Sequence, residues 1–422
     1  MSLFYCRLVC YSIIYFLLYS QILRIRGEIM LNNKNGIDQD IIKDSNRKKI
    51  LNLIFHKREI TKQSISKEIG VSIPTVTSNV NELIEEGLVK EAGVEGSTGG
   101  RKPIIVRFLP NSKYSFGVEF TLSNIRVILV NLDAEIKFDN SFKIQSFKNM
   151  EDITEKIHQI INDALALNNI SDKDILGIGF SLPGTVNEET LMLELAPNIA
   201  MKNVDFSRFS QLLKFPLYIE NEANCAAFGE LNLGIAKKMR NLVYISINEG
   251  IGAGVVIQDH LYKGKNKRAG ELGHMTIVPN GKPCNCGRSG CLERYASKSA
   301  LMEEYNLKST KPVDNLKEFF LRVEKKEDLA RVSLEKYISF LAIGIQNIVL
   351  ILDPHYVILG GEISDFSEYY LEDLKEKVFV ENSFYDNTSL KIFTSKLKED
   401  SSILGASLLP LQKIFSINEK II

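Results

Sequence analysis

Three of the six cysteines in this 422-residue chain, Cys284, Cys286 and Cys291, fall within eight residues. Cys6, Cys10 and Cys225 are scattered, and six in a chain of this length are too few for a disulfide framework. His274, one of only five histidines, precedes the cluster by ten residues. One imidazole and three thiolates make a closed tetrahedral donor set with no position left for water, which is the chemistry of a structural zinc ion. The turn glycines Gly287 and Gly290 of CNCGRSGC suit a tight metal loop. The plainer alternative is three buried thiols beside an unrelated histidine.

A second constellation lies in IENEANCAAFGE, residues 219–230, where Asn221 and Glu222 stand at the junction of a strand and a helix. An amide beside a carboxylate supplies donors and acceptors together, as a polyol clamp requires; a helix-capping asparagine on a solvated loop would look the same. A third feature is the series Gly250, Gly252, Gly254, Gly264, Gly270 and Gly273, which ends in GELGH at His274. Glycines let backbone approach a ligand or another strand, and many structural uses share that signature, so the series marks a turn-rich region without proving nucleotide binding.

These residues need a scaffold. After Pro110 the pattern changes to short β-like runs, YSFGVEF, IRVILVNLD and AEIKFDNSFKI, then a helix from about Asp152 to Leu167, then ILGIGFSLPGTV. A similar succession recurs from NLVYISINEGIGAGVVIQ onward, which argues for two related α/β lobes with a cleft between them.

The preceding segment reads differently. Thr61 is placed to cap a short helix through Ile69, Gly70 permits a sharp turn, and Ser72 caps a second helix with Pro74 in its first turn. Val76, Val80, Leu83 and Ile84 form its apolar stripe, leaving Thr75, Thr77, Ser78, Asn79 and Glu82 for the other faces. Short hydroxyl and amide groups near a helix N-terminus reach base edges or phosphates without bulk, so Ser72, Thr75, Thr77, Ser78 and Asn79 are candidate DNA contacts. Two short strands, Leu88 to Glu91 and Ile104 to Phe108, frame a Gly-rich tip whose Arg101 and Lys102 suit a wing on phosphate or in the minor groove. A generic three-helix unit with a basic face is the alternative.

Composition is that of an ordinary globular chain, 45% apolar and 25% charged, which excludes disorder and collagen. Lys plus Arg equals Asp plus Glu at 52 each, so net charge names no partner. The sum hides opposite regions. Residues 43–107 hold twelve basic against eight acidic side chains, whereas residues 108–422 hold 36 against 41.

Residues 3–23 are apolar and about the length of a membrane span, but Arg7, Ser12, Ser20 and Gln21 interrupt them and no small-residue cleavage site follows. Arg26-Gly27-Glu28 can be encoded by a purine-rich ribosome-binding sequence just ahead of Met30. A gene start placed too early, making residues 1–29 an artefact, is the favoured reading, with a membrane segment and a signal peptide as alternatives.

The stretch from Ile247 to His274, the CxCGxxGCxE run from Cys284 to Glu293, IENEANCAAFGE and LDPHYVILGGEI (residues 352–363) together resemble the ROK family of sugar kinases and sugar-responsive repressors. The motifs occur in the family's order and span most of residues 114–410. The resemblance implies a winged helix-turn-helix at residues 43–108 followed by an actin-like, hexokinase-like two-lobed ROK domain at residues 114–415. It also implies a sugar effector held by Asn221, Glu222, Glu271, His274 and Glu293, with Gly184 of SLPGTV lining the pocket through its backbone. His274, Cys284, Cys286 and Cys291 would hold the zinc, with one ring nitrogen of His274 on metal and the other toward the sugar.

Active family kinases open this domain with an Asp-x-Gly-Gly-Thr phosphate loop. Here the stretch is GVEFTLSNIRV, with Glu119 at the Asp position and Phe120, Thr121, Leu122 and Ser123 in place of the glycines. Charge and bulk there oppose phosphate. Glu222 stands at the kinase's catalytic Asp and could still accept a proton. The expectation is therefore a cytoplasmic repressor with no enzymatic activity, most like the xylose repressors of low-GC bacteria. A homodimer would bind a palindromic operator and release it when xylose occupies the cleft, with no membrane partner. The alternatives are an ATP-dependent ROK sugar kinase and a repressor responding to a glucose- or N-acetylglucosamine-type sugar.

Overall fold

A computed structural model describes residues 39–94, 104–147, 149–381 and 384–415. The apolar residues 3–23, the proposed artefact 1–29 and the wing-tip residues Arg101 and Lys102 lie outside them. Contacts divide the chain into two compact units, Met1–Phe108 and Leu109–Ile422.

In the first unit, helix Gln39–Lys57 precedes strand β1 (Glu59–Thr61), helix Lys62–Ile69 and helix Ile73–Glu85. Local chemistry sets the breaks. The Thr61 side chain accepts from the Ser64 amide, Gly70 ends the helix at φ 77°, and the Ser72 side chain accepts from the Thr75 amide. Strands β2 (Val89–Val94) and β3 (Ile104–Phe108) pair antiparallel, and β1 adds to the far edge of β3. Ile50, Leu51, Ile54, Ile65, Val76, Val80, Leu83 and Val106 are fully buried between the helices and this small sheet.

The second unit contains two five-stranded sheets. The first is built from β4 (Tyr114–Phe120), β5 (Asn124–Asn131), β6 (Ile136–Lys143), β7 (Ile175–Leu182) and β11 (Leu217–Asn221), in the order β11-β7-β4-β5-β6. Three short strands, β8 (Thr185–Asn187), β9 (Met192–Ala196) and β10 (Met201–Asp205), make a side sheet between β7 and β11 in sequence. The second large sheet uses β12 (Leu242–Ile247), β13 (Ile251–Ile257), β14 (His260–Leu261), β15 (Tyr356–Gly360) and β16 (Lys391–Thr394), in the order β14-β13-β12-β15-β16.

Both sheets follow one plan: three antiparallel strands, then two added parallel to the first. The recurrence seen in the sequence is thus a repeated topology. Helix Ser401–Leu408 lies on the first sheet and helix Glu222–Asn232 on the second, and the two helices meet backbone to backbone. A Cβ on Gly229 would come within 2.3 Å of the Ser401 carbonyl, and one on Gly405 within 1.8 Å of the Cys225 carbonyl. Glycine at both positions permits that approach. Gly254 does the same between β13 and helix Glu222–Asn232, where a Cβ would meet that of Ala227 at 2.4 Å.

Among the described residues, helix Asp328–Leu352 is long and apolar enough to cross a membrane. Its buried side chains, including Leu334, Tyr337, Ile338, Leu341, Ile345 and Ile348, belong to the core under the second sheet.

Candidate functional site

Helix Ile73–Glu85 carries the candidate DNA contacts on known phases. Ser72 and Ser78 are exposed, and Thr75 and Thr77 are half-buried. The Ser72 and Thr75 hydroxyls are 2.8 Å apart, so the cap occupies both. Asn79 corrects the expected exposed face: it is 2% exposed, and its amide donates to the Thr75 carbonyl at 2.8 Å. Asn81 is exposed instead. Val76, Val80 and Leu83 centre the buried arc, and steps of 100° put Asn79 on its edge and Asn81 on the far side. The spacing of the apolar residues therefore carries the phase of Asn79, which its polarity and place near the helix start obscure.

In the second unit, two groups of candidate residues form. The first is at the end of β11. The Asn221 side-chain oxygen accepts from the Ala223 and Asn224 amides, and its Nδ2 donates to the Gly184 carbonyl at 2.8 Å. Asn221 is therefore a helix cap that ties β11 to the turn after β7, with one amide hydrogen left for a ligand. Glu222 Oε1 accepts from the Ser246 hydroxyl at 2.8 Å. Burial pushes the Glu222 carboxyl up.

Glu119, at the end of β4, is raised to about 7, first by burial and then by the charge of Glu222. The turn after it is closed by Thr121, whose hydroxyl oxygen accepts from the Asn124 amide at 3.0 Å, and Leu122 is 39% exposed. Two carboxylates that resist ionisation together, beside a turn without glycine, are poor company for a phosphate.

The second group surrounds the short turn Leu272–His274. Gly270 and Gly273 lie against β13, where a Cβ on either would come within 2.0 Å of a β13 carbonyl, so the turn can seat only with glycine there. This places His274 Nδ1 3.6 Å from Cys284 Sγ and 3.3 Å from Glu293 Oε1, while Nε2 is 3.8 Å from Glu271 Oε2. Cys286 and Cys291 sulfurs are 3.7 Å apart, and one donor atom from each of His274, Cys284, Cys286 and Cys291 lies within 4.8 Å of the others. A tetrahedron with zinc–sulfur bonds of about 2.3 Å has edges of about 3.8 Å, so the spacing fits a metal ion. Burial pushes the Cys284 and Cys291 thiols up, and a bound cation would supply the charge that their thiolates need. The Cys284 thiol donates to Glu293 Oε1 at 2.9 Å, so the third candidate clamp carboxylate abuts the cysteine loop directly. Burial also raises the Glu271 carboxyl, which the His274 charge opposes.

The β12–β13 turn joins the two groups. Asn248 Nδ2 donates to Ser246 Oγ at 3.1 Å, the Asn248 amide donates to the Gly250 carbonyl at 3.0 Å, and a Cβ on Gly250 would lie 2.9 Å from Glu293 Oε2. Next to this turn is a cavity of about 90 Å³ lined by Asn198, Glu249, Asn285, Glu293 and Arg294. Of these, sequence reasoning named only Glu293. Asn198 sits in the turn Pro197–Ile199, outside the motifs read from the sequence, while Asn285 stands inside the cysteine run between Cys284 and Cys286.

A DNA-reading winged helix on one chain with a two-lobed, polar-clefted α/β body defines a class of regulators built on a sugar-kinase scaffold. The ROK family pattern matches residues 115–413, and a winged helix-turn-helix DNA-binding pattern matches residues 43–90. The xylose repressor of Bacillus subtilis strain 168 is 32% identical over 373 residues, covering 88% of this chain and 96% of that protein. The crystal structure of a ROK family transcriptional regulator, described as a homologue of the Escherichia coli MLC protein, superposes with a TM-score of 0.77 at 23% identity, covering 88% of this chain and 99% of that one. A ROK family glucokinase from Streptomyces griseus, in complex with glucose and AMPPNP, gives 0.63 at 22% identity, covering 71% and 99%. The chain belongs to the ROK family.

Proposed function

We infer that the protein is a cytoplasmic, sugar-responsive transcriptional repressor of xylose-utilisation genes. The observation that carries this reading is the union, in one ROK chain similar along most of its length to xylose repressors, of a winged helix-turn-helix with a polar cleft. Residues 43–108 bind a palindromic operator as a homodimer, with Ser72, Thr75, Thr77 and Ser78 at or near the DNA and Arg101 and Lys102 on the wing. Asn81 takes the place expected of Asn79.

Residues 114–415 bind xylose through Gly184, Asn221, Glu222, Glu271, His274 and Glu293. His274, Cys284, Cys286 and Cys291 would hold a zinc ion that fixes the loop carrying Glu293, and Glu271 Oε2 lies 3.8 Å from the ring's Nε2. Bound sugar favours a lobe arrangement whose two reading helices no longer fit the half-sites. A coupling of about 1 to 3 kcal/mol, usual for allosteric proteins, weakens operator binding roughly 5- to 150-fold. The raised Glu119 beside Glu222, with Thr121 and Leu122 at the two glycine positions, supports a cleft that binds sugar without transferring phosphate from ATP.

The test is fluorescence anisotropy of the chain on DNA from its own promoter region, titrated with xylose, glucose and N-acetylglucosamine. Release by xylose at the lowest concentration is expected. Release by another sugar alone would reassign the effector, and ATP-dependent phosphorylation of any of the three would overturn the non-enzymatic reading.

A further inference from the structure

Four of the five residues around the 90 Å³ cavity come from the second lobe; Asn198 alone comes from the first, in the turn Pro197–Ile199 between β9 and β10. Asn285 Nδ2 donates to Asn198 Oδ1 across the cavity rim. Both asparagines are exposed, and Asn285 sits between two residues of the metal cluster, Cys284 and Cys286. The bond therefore fastens the side sheet of the first lobe to the metal loop of the second. Gly250 shows that the convergence is built in: a Cβ there would lie 2.9 Å from Glu293 Oε2 and 3.3 Å from Asn198 Nδ2. A side chain at that point would fill the space on which carboxylate and amide are aimed.

Every cavity-lining side chain is an amide, a carboxylate or a guanidinium, a surface suited to hydroxyl groups. The Asn198–Asn285 bond joins two residues that line this open pocket, so a sugar at Glu293 that takes hydrogen bonds from either amide does so at the expense of that bond.

We propose that Asn198 and Asn285 form an inter-lobe latch that the effector sugar opens and then occupies. In the free protein the two amides satisfy each other. In the complex each turns to sugar hydroxyls, so the ligand replaces one amide–amide bond by two amide–hydroxyl bonds and sets a wider spacing between turn and metal loop. This rests on the effector reading of the cleft and adds the device that links occupancy to lobe position.

Latch and contact act on different rates. Losing the latch speeds entry, and losing the contact speeds departure. Xylose binding by the full-length, zinc-loaded chain is measured by stopped flow and calorimetry for wild type, Asn198→Ala, Asn285→Ala and the double variant. Each single variant is expected to bind about 5-fold faster and to release more than 10-fold faster, one hydrogen bond being worth roughly that factor. The double variant should bind more weakly than the two single losses combined, because the latch can be removed only once. Zinc content is measured alongside; Asn198→Ala, outside the metal loop, carries the test if Asn285→Ala loses metal. Wild type that binds no sugar would overturn the effector reading and the latch with it. Normal wild-type binding with unchanged association rates in Asn198→Ala would overturn the latch alone.

Discussion

The two units assemble their candidate functional residues in opposite ways. In the first, Ser72, Thr75, Thr77, Ser78 and Asn81 fall within one helix and its cap, and consecutive sequence sets their geometry. In the second, the residues around the cleft come from the β7 turn, the start of helix Glu222–Asn232, the turn Leu272–His274, the metal loop and the turn Pro197–Ile199. The difference teaches where damage should spread. A change on the reading helix acts at its own position, whereas a change in the cleft acts through ties between segments distant in sequence.

The strongest way to sharpen that contrast is to remove a metal donor. Cys291→Ser replaces a fully buried thiol on a residue whose backbone forms a β-bridge with Thr276. Structural zinc is worth about 10 to 16 kcal/mol in small zinc peptides. The variant is therefore expected to lose zinc by elemental analysis, to melt several degrees lower and to lose sugar binding together; retention of tight sugar binding without metal would separate the loop from the cleft.

Glu119→Gln tests the acidic end of the cleft. Below pH 4.5 the carboxyl is protonated in folded and unfolded chains alike, so it costs nothing. Between 4.5 and about 7 the folded chain keeps a proton that the unfolded chain has lost, and stability falls as pH rises. Above about 7 the full penalty of the buried charge is present. Denaturant titrations should show wild type losing about 2 to 3 kcal/mol relative to Glu119→Gln between pH 4.5 and 8. Parallel pH profiles for the two proteins would mean that Glu119 is well solvated.

Asn221→Ala removes a helix cap and the tie to Gly184 in one step, at about 1 kcal/mol each. Urea unfolding should show a loss near 2 kcal/mol, with sugar affinity reduced as well. On the reading helix the effects should be smaller and separable. Ser72→Ala should cost about 1 kcal/mol of stability. Asn81→Ala should stay within about 0.5 kcal/mol of wild-type stability while weakening operator binding. Loss of folding in Asn81→Ala would break the comparison, because an exposed amide would then be carrying structure.

Much of this is legible in the sequence. Caps, turn glycines and the metal spacing depend on neighbours a few residues away, so Thr61, Gly70, Ser72 and the Cys284–Cys291 loop could be read from the chain. The phase of Asn79 is also local: its polarity suggests exposure, but 100° steps from Val76 and Val80 put it on the edge of the buried arc. Asn221 could be read two ways, and the structure shows the capping bonds that accompany any clamp.

The sequence by itself determined the succession of elements, the duplicated α/β pattern and the four candidate metal donors, which the structure brings together, since these follow from short-range sterics, hydrogen bonding and ligand chemistry. Only the tertiary structure decided that Glu119 would share the field of Glu222, that Gly250 would leave room for Glu293 and Asn198, and that Asn198 would reach Asn285. Those pairings join residues up to about a hundred positions apart. They arise from how two sheets pack through a glycine-lined pair of helices, and no local periodicity encodes that distance.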